Sequence, residues 1–333
     1  MKHIVFVSGG GRLGNQLLNA ANFTAFAKEY KQTLAVTNLA IVRYLHYFKY
    51  DVSILNHNKK SFRSQCLRIL LSLVSHDNKT FVHFYNFSNS FLHCLAHILY
   101  NNQSIVLGKK RKVYKRIKAK VIDNTQLNSD QVLTAFNEKS KTFVSGWPMR
   151  CWDLIDKHKE YVVSKLQFKE TYTNLSDKFI EKIRIERKYE LLIGVLIRQG
   201  DYKEWAEGKF YFQDTQYIQW IEEIKMHFFD KKIAFILTSD QPKNENEFAT
   251  IPNLFWSRGT RHIQDEPVVS MLDLSHCDYI LSPPSTFSAW ASFIGNSKII
   301  PLTDKNQKID FQSALSGSLN ELRNHHYFGL AVN

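Results

Sequence analysis

A glycine-rich loop near the N-terminus brings an arginine and an asparagine to the start of a predicted helix. Residues 8–15 have the sequence SGGGRLGN, between an apolar run and an amphipathic segment. Glycines let the backbone approach a ligand, and N–H groups at a helix start attract phosphate. The loop therefore predicts a phosphate-facing site that contains Gly11, Arg12, Gly14 and Asn15. The alternative is a tight turn in which Arg12 is solvated and Asn15 caps the helix.

The same loop matches the dinucleotide-binding pattern G-x-G-x-x-G at Gly9, Gly11 and Gly14. Such sites use an acidic residue at the end of the second strand, about 20 residues further on, to bind the ribose. The second strand predicted here ends at 36–38 with the sequence VTN, which contains no acid. The residues therefore favour phosphate binding over nicotinamide dinucleotide binding.

A second arginine, Arg198, follows the buried-strand run Leu191–Ile197. Open α/β sheets bind ligands at the carboxyl ends of their strands. A guanidinium there can bind a pyrophosphate through two hydrogen bonds and stabilise a departing nucleotide, as divalent metals often do. Asp201, Glu204 or Glu207 could act as general base for an acceptor hydroxyl. The alternative is a structural Arg198–Asp201 ion pair with solvated glutamates.

Two other predicted strands also end in polar residues. Residues 281–290, LSPPSTFSAW, place Ser285, Thr286 and Phe287 at a strand end and a helix start, where N–H groups and hydroxyls can bind phosphate. Ser285 as a simple N-cap is the alternative. Asp240 follows another strand, and its carboxylate could accept hydrogen bonds from a guanine ring. It could equally be an ordinary turn residue.

The elements that must position these residues alternate along the chain. Short Val- and Ile-rich runs separated by amphipathic segments predict parallel strands of an α/β protein, at 3–8, 34–37, 191–197, 232–238, 279–282 and 298–301. We expect two Rossmann-like domains that face each other across a cleft. The predicted domains are 1–165 and 166–333, and residues 40–140 form an irregular or helical insertion in the first.

Composition fits a two-domain protein of the cytoplasm. The chain has 333 residues, 44% of them hydrophobic. No run reaches the roughly 18–20 apolar residues of a membrane span, and the N-terminal apolar stretch is too short for a signal peptide. The four cysteines are far apart, which fits neither a zinc cluster nor a disulfide framework.

A net charge of +13 indicates an anionic partner, and eight of the basic residues lie in the acid-free run 109–120. Nucleotide phosphate, nucleic acid and anionic lipid are the candidates. The aromatic residues lack the spacing of an RNA-stacking platform, so we expect no nucleic-acid partner. The run is then a solvated arm or a patch for peripheral contact with the inner face of a membrane.

Three motifs together resemble the bacterial alpha-1,2-fucosyltransferases and, more distantly, the protein O-fucosyltransferases and core alpha-1,6-fucosyltransferases. They are GRLGNQ at 11–16, IRQGDY at 197–202 and STFSAW at 285–290. Weaker similarity covers SGW at 145–147 and residues 271–280. Residues 40–140 match no motif of these families.

The resemblance implies a GT-B-like fold, a GDP-fucose donor held mainly by the second domain, inversion at the anomeric carbon, and neither metal ion nor cofactor. It gives Arg198 the role of the phosphate-binding arginine and places Arg12 and Asn15 at the reaction centre. Asp240 would lie near the guanine, and Ser285, Thr286 and Phe287 around the phosphates and the base. We therefore expect transfer of fucose to a glycan hydroxyl, in an alpha-1,2 linkage, during synthesis of a surface polysaccharide or glycolipid.

The chain departs from the family pattern His-x-Arg-Arg-x-Asp at two positions, with Leu196 for the histidine and Gln199 for the second arginine. The histidine contributes to guanine recognition in the relatives. Two alternatives thus stay open, namely a transferase that uses another nucleotide sugar and a non-catalytic relative that binds carbohydrate or nucleotide.

Overall fold

A computed structural model of the chain describes residues 2–8, 11–31, 33–38, 40–55, 104–107, 120–122, 126–138, 141–146, 150–261 and 267–328. The contacts between residues divide the chain into two compact units, Met1–Gln167 and Phe168–Asn333. Each unit contains its own β-sheet with helices, so the predicted α/β class is confirmed.

The first unit has a six-stranded sheet in the order β3-β2-β1-β6-β4-β5, parallel except for the antiparallel edge strand β3. Its strands are β1 (Lys2–Ser8), β2 (Leu34–Asn38), β3 (Ile54–Leu55), β4 (Ser104–Leu107), β5 (Lys120–Ile122) and β6 (Lys141–Gly146). Its described helices are α1 (Leu13–Glu29), α2 (Asp130–Asn137), α3 (Trp152–Lys157) and α4 (Lys159–Lys165), with a 3-10 turn at Val42–Tyr47.

Helix α1 is buried on almost every side, and its polar residues therefore need internal partners. The buried Arg150 guanidinium donates to Asn19 Oδ1 at 2.9 Å, and Asn22 Oδ1 accepts from the Cys151 N–H at 2.6 Å. Burial lowers the pKa of Arg150 to about 9. These contacts fix α1, and with it the loop before it, against the segment that follows β6.

Strands β3, β4 and β5 lie inside residues 40–140, for which the sequence had predicted an irregular or helical insertion. They have only two, four and three residues. Segments this short show no clear period, so pairing within the sheet, and not local pattern, makes them strands.

The second unit has a five-stranded, fully parallel sheet in the order β11-β10-β7-β8-β9. Its strands are β7 (Leu191–Ile197), β8 (Ile233–Ser239), β9 (Leu254–Trp256), β10 (Tyr279–Ser282) and β11 (Lys298–Pro301). Its described helices are α5 (Glu170–Glu181), α6 (Asp214–His227), α7 (Arg258–Arg261), α8 (Pro267–Ser275), α9 (Thr286–Gly295) and α10 (Leu319–Asn324). All six strands predicted in the two units are present, with ends within one residue of the prediction.

The strand order of the second unit reverses between β7 and β10, which are neighbours in the sheet. In a doubly wound sheet the ligand crevice lies outside the carboxyl ends of the two strands at this switch point. The core below it contains Phe212, Tyr217 and Trp220 packed on the strands. The fold therefore directs attention to the residues that follow Ile197 and Ser282.

Candidate active site

The loops that follow β7 and β10 are joined by a hydrogen bond. The buried Tyr202 hydroxyl, beyond β7, donates to the carbonyl oxygen of Pro284, beyond β10. Burial raises the pKa of Tyr202 above its ordinary value, so its hydroxyl stays protonated and remains a donor at neutral pH. The two predicted phosphate-binding segments of the second unit thus form one structural site.

Arg198 has three neighbours in this site. Its terminal nitrogen Nη2 donates to Asp201 Oδ1 at 2.8 Å, and its Nε lies 3.5 Å from Asp240 Oδ2. The guanidinium carbon lies 4.9 Å from the centre of the Tyr202 ring. Its side chain is 14% exposed, so it is mostly buried and keeps a small accessible surface. The structure thus contains the Arg198–Asp201 pair that was the alternative to phosphate binding.

Asp240 stabilises the turn that carries Arg198. Its Oδ1 accepts the backbone N–H groups of Gln199 at 2.9 Å and Gly200 at 3.3 Å. A Cβ atom on Gly200 would lie 3.0 Å from Asp240 Oδ2 and 2.8 Å from the Gln241 amide, so glycine suits this close approach. Oδ1 is thus occupied by backbone, and contact of the Asp240 carboxylate with a guanine base stays a prediction.

Gln199, which replaces an arginine of the family pattern, points into a buried polar network. Its Nε2 donates to Phe212 O at 2.7 Å and to Asp214 Oδ1 at 2.8 Å, and its Oε1 accepts from the Lys243 ammonium. Lys243 also contacts Asp214 Oδ1 at 2.7 Å, and its side chain is only 6% exposed. The network anchors the residue next to Arg198. Neither Lys243 nor Asp214 could be identified from the sequence, because neither belongs to a motif.

The turn between β10 and α9 is held by a cluster of hydroxyl groups. Ser285 is the N-cap of α9, and its Oγ accepts the Phe287 N–H at 3.2 Å. The Tyr327 hydroxyl contacts Ser288 Oγ at 2.7 Å and Ser282 Oγ at 3.1 Å. Thr286 and Phe287 are half-buried at the start of the helix. The capping alternative for Ser285 is therefore present, and its contact with phosphate stays a prediction.

The carboxylates after Arg198 lie on two short 3-10 turns, Asp201–Lys203 and Trp205–Gly208, and at Glu204 between them. Asp201 has a half-exposed side chain, and Glu204 is exposed. The second turn contains left-handed backbone at Ala206 and Glu207, with φ of 51° and 57°. Both Asp201 and Glu204 are accessible to an acceptor from solvent.

The glycine loop of the first unit is closely packed at Gly11. Gly11 has a φ of +81°, and a Cβ atom on it would lie 2.0 Å from Asn15 Nδ2. Arg12 is exposed and occupies the N-cap of α1 without a side-chain capping bond. Asn15 as the helix cap is therefore wrong, and its amide packs over Gly11 instead. Gly14 is buried in the first turn, and Gly9 and Gly10 lie outside the described residues.

Among the described residues, no group of three or more His, Cys, Asp or Glu side chains is arranged to hold a metal ion. None of the helices in the described ranges has both the length and the apolar character needed to cross a membrane. Cys151 and Cys277 are buried free thiols. Most of the basic run 109–120 lies outside the described residues.

Comparison with known proteins assigns the family. The sequence profile of glycosyl transferase family 11 matches residues 74–321, which is well over half of the chain. The chain belongs to glycosyl transferase family 11. This family 11 member is thus a glycosyltransferase, as the motifs predicted. No curated protein matches its sequence.

Solved structures resemble this family 11 glycosyltransferase at low sequence identity. A mutant of Arabidopsis thaliana FUT1 in complex with GDP has a TM-score of 0.51 and 13% identity, covering 95% of this chain and 74% of the other. Fucosyltransferase NodZ from Bradyrhizobium has a TM-score of 0.48 and 12% identity, covering 92% and 97%. POFUT1 in complex with GDP-fucose has a TM-score of 0.48 and 13% identity, covering 92% and 99%. The likeness to FUT1 concerns the fold, and the predicted GT-B-like class is confirmed.

Proposed function

We propose that this glycosyltransferase transfers fucose from GDP-fucose to a hydroxyl group of a glycan acceptor, with inversion at the anomeric carbon and without a metal ion. The observation that carries the proposal is the position of Arg198 at the switch point of the second sheet, beside the β10–α9 turn. Family membership and the GDP in the similar FUT1 structure support a guanine nucleotide as the leaving group.

The proposed reaction is a single displacement. The acceptor oxygen attacks the anomeric carbon on the face opposite the nucleotide, and the bond from that carbon to the phosphate oxygen breaks. Its electron pair leaves with GDP, where the Arg198 and Arg12 guanidinium groups stabilise the added charge. The hydroxyl proton passes to a carboxylate, for which Asp201 and Glu204 are the accessible candidates, and then to solvent.

We assign the two partners to different units. The second unit would hold the donor through Arg198, with Asp240 near the base and Ser285, Thr286 and Phe287 around the phosphates. The first unit would face the acceptor, with Arg12 and Asn15 at the reaction centre and Gly11 and Gly14 allowing close approach. Both sets follow the carboxyl ends of parallel strands, where α/β sheets bind ligands.

We further propose an alpha-1,2 linkage to a surface polysaccharide or glycolipid made at the cytoplasmic face of a membrane. The positive charge of the run 109–120 supports a location at the membrane surface, because anionic lipid attracts clustered Lys and Arg. Sedimentation with vesicles of phosphatidylcholine and phosphatidylserine tests it. Equal binding by a variant with Gln at these eight basic positions would remove this part of the proposal.

Calorimetric titration with GDP, GDP-fucose, UDP and NAD, with and without EDTA, tests the donor. Binding of GDP and GDP-fucose that EDTA does not change is the expected result. Incubation of GDP-fucose with candidate glycans, followed by NMR of the product, then tests linkage and inversion. Preference for UDP would instead support another nucleotide sugar, which Leu196 favours because this buried side chain can donate no hydrogen bond to a base. Absence of nucleotide binding would support the non-catalytic alternative.

A further inference from the structure

We infer that Arg198 exchanges Asp201 for the diphosphate of the donor. Asp201 pairs with Arg198 in the absence of the donor, and the incoming diphosphate displaces it. The inference rests on the proposed function, since it concerns the same donor site. The Arg198–Asp201 ion pair then has a part in the reaction. On sequence alone, the same pair was the alternative to phosphate binding.

The three contacts of Arg198 differ in how easily they can be replaced. Asp240 has a 10% exposed side chain and is held in place by the Gln199 and Gly200 N–H groups. Tyr202 is buried, and its hydroxyl is bonded to the turn after β10. Asp201 is 49% exposed and lies on a short surface turn. Water can replace its contact with Arg198 at little cost, so this is the contact that an incoming anion displaces.

The charges around Arg198 require such a displacement. One guanidinium lies between two carboxylates, those of Asp201 and Asp240, which together more than balance its charge. A diphosphate brought to the same cation would be repelled by both carboxylates. Movement of Asp201 away from Nη2 uncovers this nitrogen and removes the nearer of the two negative charges. Asp240 and Tyr202 then keep the arginine oriented for the phosphate oxygens.

The exchange couples the two substrates. Before the donor binds, the Asp201 carboxylate accepts a hydrogen bond from Arg198 Nη2. Once Arg198 binds the diphosphate, we expect the same carboxylate to turn towards the acceptor hydroxyl and accept its proton. We therefore expect the donor to bind first and the acceptor second.

Replacement of Asp201 tests the exchange. If Asp201 competes with the donor, its loss should strengthen GDP binding, and if it only holds Arg198 in place, its loss should weaken GDP binding. Asp201→Asn keeps the shape and removes the charge, and Asp201→Ala also removes the hydrogen bond. We expect GDP to bind about three- to tenfold more tightly to both variants at low salt, with a smaller gain at high salt. Turnover of GDP-fucose should fall. Guanosine, which has no phosphate, should bind the variants and the wild type equally.

Glu190→Gln is the matched control, because Glu190 is an exposed carboxylate at the opposite end of β7. It makes the same change in net charge and should leave GDP affinity unchanged. Weaker GDP binding by Asp201→Asn would overturn the exchange and assign Asp201 to holding Arg198 in place, and unchanged binding would overturn it as well. If the wild type binds no GDP, the proposed donor fails separately, and the same variants are then compared with pyrophosphate as the probe.

Discussion

At the scale of single residues, the donor site depends on the shape of a guanidinium as well as on its charge. Arg198 lies over the Tyr202 ring and directs Nε towards Asp240. A lysine ammonium has neither a flat face nor a fork of donors. We expect Arg198→Lys to fold normally and to lower kcat by about a hundredfold, which is typical for loss of one group that stabilises a leaving anion. Steady-state kinetics and thermal unfolding check this, and near wild-type turnover would remove Arg198 from the mechanism.

Gly11 offers a second test at this scale. An alanine there would adopt a left-handed φ and overlap Asn15 Nδ2. We expect Gly11→Ala to cost about 1–2 kcal/mol in the free energy of unfolding and to lower turnover at least tenfold, because Asn15 must move. Urea unfolding and kinetics measure the two effects.

Gly208→Ala separates the effect of backbone strain from the effect of displacing Asn15. Gly208 has a φ of +77°, but the nearest atom to an added Cβ is a single carbonyl oxygen at 3.2 Å. This variant should share the loss of stability and keep its turnover. Equal losses of turnover in both variants would mean that Asn15 is not needed at the reaction centre.

The sequence predicts the site residues that follow apolar runs and misses those that support them. Arg198 and Ser285 were found because each follows a buried strand, and strand ends bind ligands in α/β sheets. Lys243 contacts Asp214 across 29 residues, and Tyr327 contacts Ser288 across 39. No local pattern marks such pairs, because only the fold brings them together.

At the scale of elements, the Lys243–Asp214 pair connects the loop after β8, the start of α6 and the end of β7. Loss of one partner leaves a mostly buried charge, which costs about 3 kcal/mol. We expect this loss of stability, and weaker GDP binding, in Lys243→Met. The double variant Lys243→Met with Asp214→Asn should recover part of both, as urea unfolding and calorimetry can measure.

Lys225→Met is the control for Lys243→Met and its double variant. Lys225 pairs with Glu222 on the surface of α6, where the two side chains are 30% and 44% exposed. Its removal should cost below about 1 kcal/mol. If the double variant were no more stable than Lys243→Met, the pair would not be what anchors Gln199.

The elements that the sequence predicts are those with a clear period. Strands β7 and β8 have seven residues each, almost all buried, and their apolar runs mark them directly. Strand β9 has three half-buried residues and was missed. Its strand conformation depends on pairing with β8, which a local pattern cannot show.

At the scale of the whole molecule, the chain repeats one arrangement in two units, each with a mainly parallel sheet that carries polar loops at its carboxyl edge. The alternation of strands and helices predicts this repetition from the sequence. It does not predict which unit takes which substrate, because a strand in each unit is followed by a loop that contains a glycine and an arginine. Variants in each unit, tested separately for donor affinity and acceptor KM, address that assignment.

Asp273 links the stability of the second unit to pH. This buried carboxylate on α8 accepts the Ser176 hydroxyl of α5 and the Ser257 hydroxyl before α7, each at 2.6 Å. Burial outweighs these hydrogen bonds and raises the pKa of Asp273 from 3.8 to about 6. The protonated form is therefore the one that the fold favours.

The sign of the pH effect follows from that raised pKa. The contribution of Asp273 to stability is complete below pH 4, where the group is protonated in both states, and is lost as the pH rises through 6. Relative to Asp273→Asn, which does not titrate, the wild type should lose about 2 kcal/mol of unfolding free energy between pH 4 and 7. Urea unfolding of both proteins across this range measures the difference. Other groups with a shifted pKa, such as Glu29 and Glu321, contribute equally to both proteins, and their contributions cancel. If the unfolding free energies of the two proteins changed in parallel with pH, the fold would hold Asp273 ionised without a loss of stability.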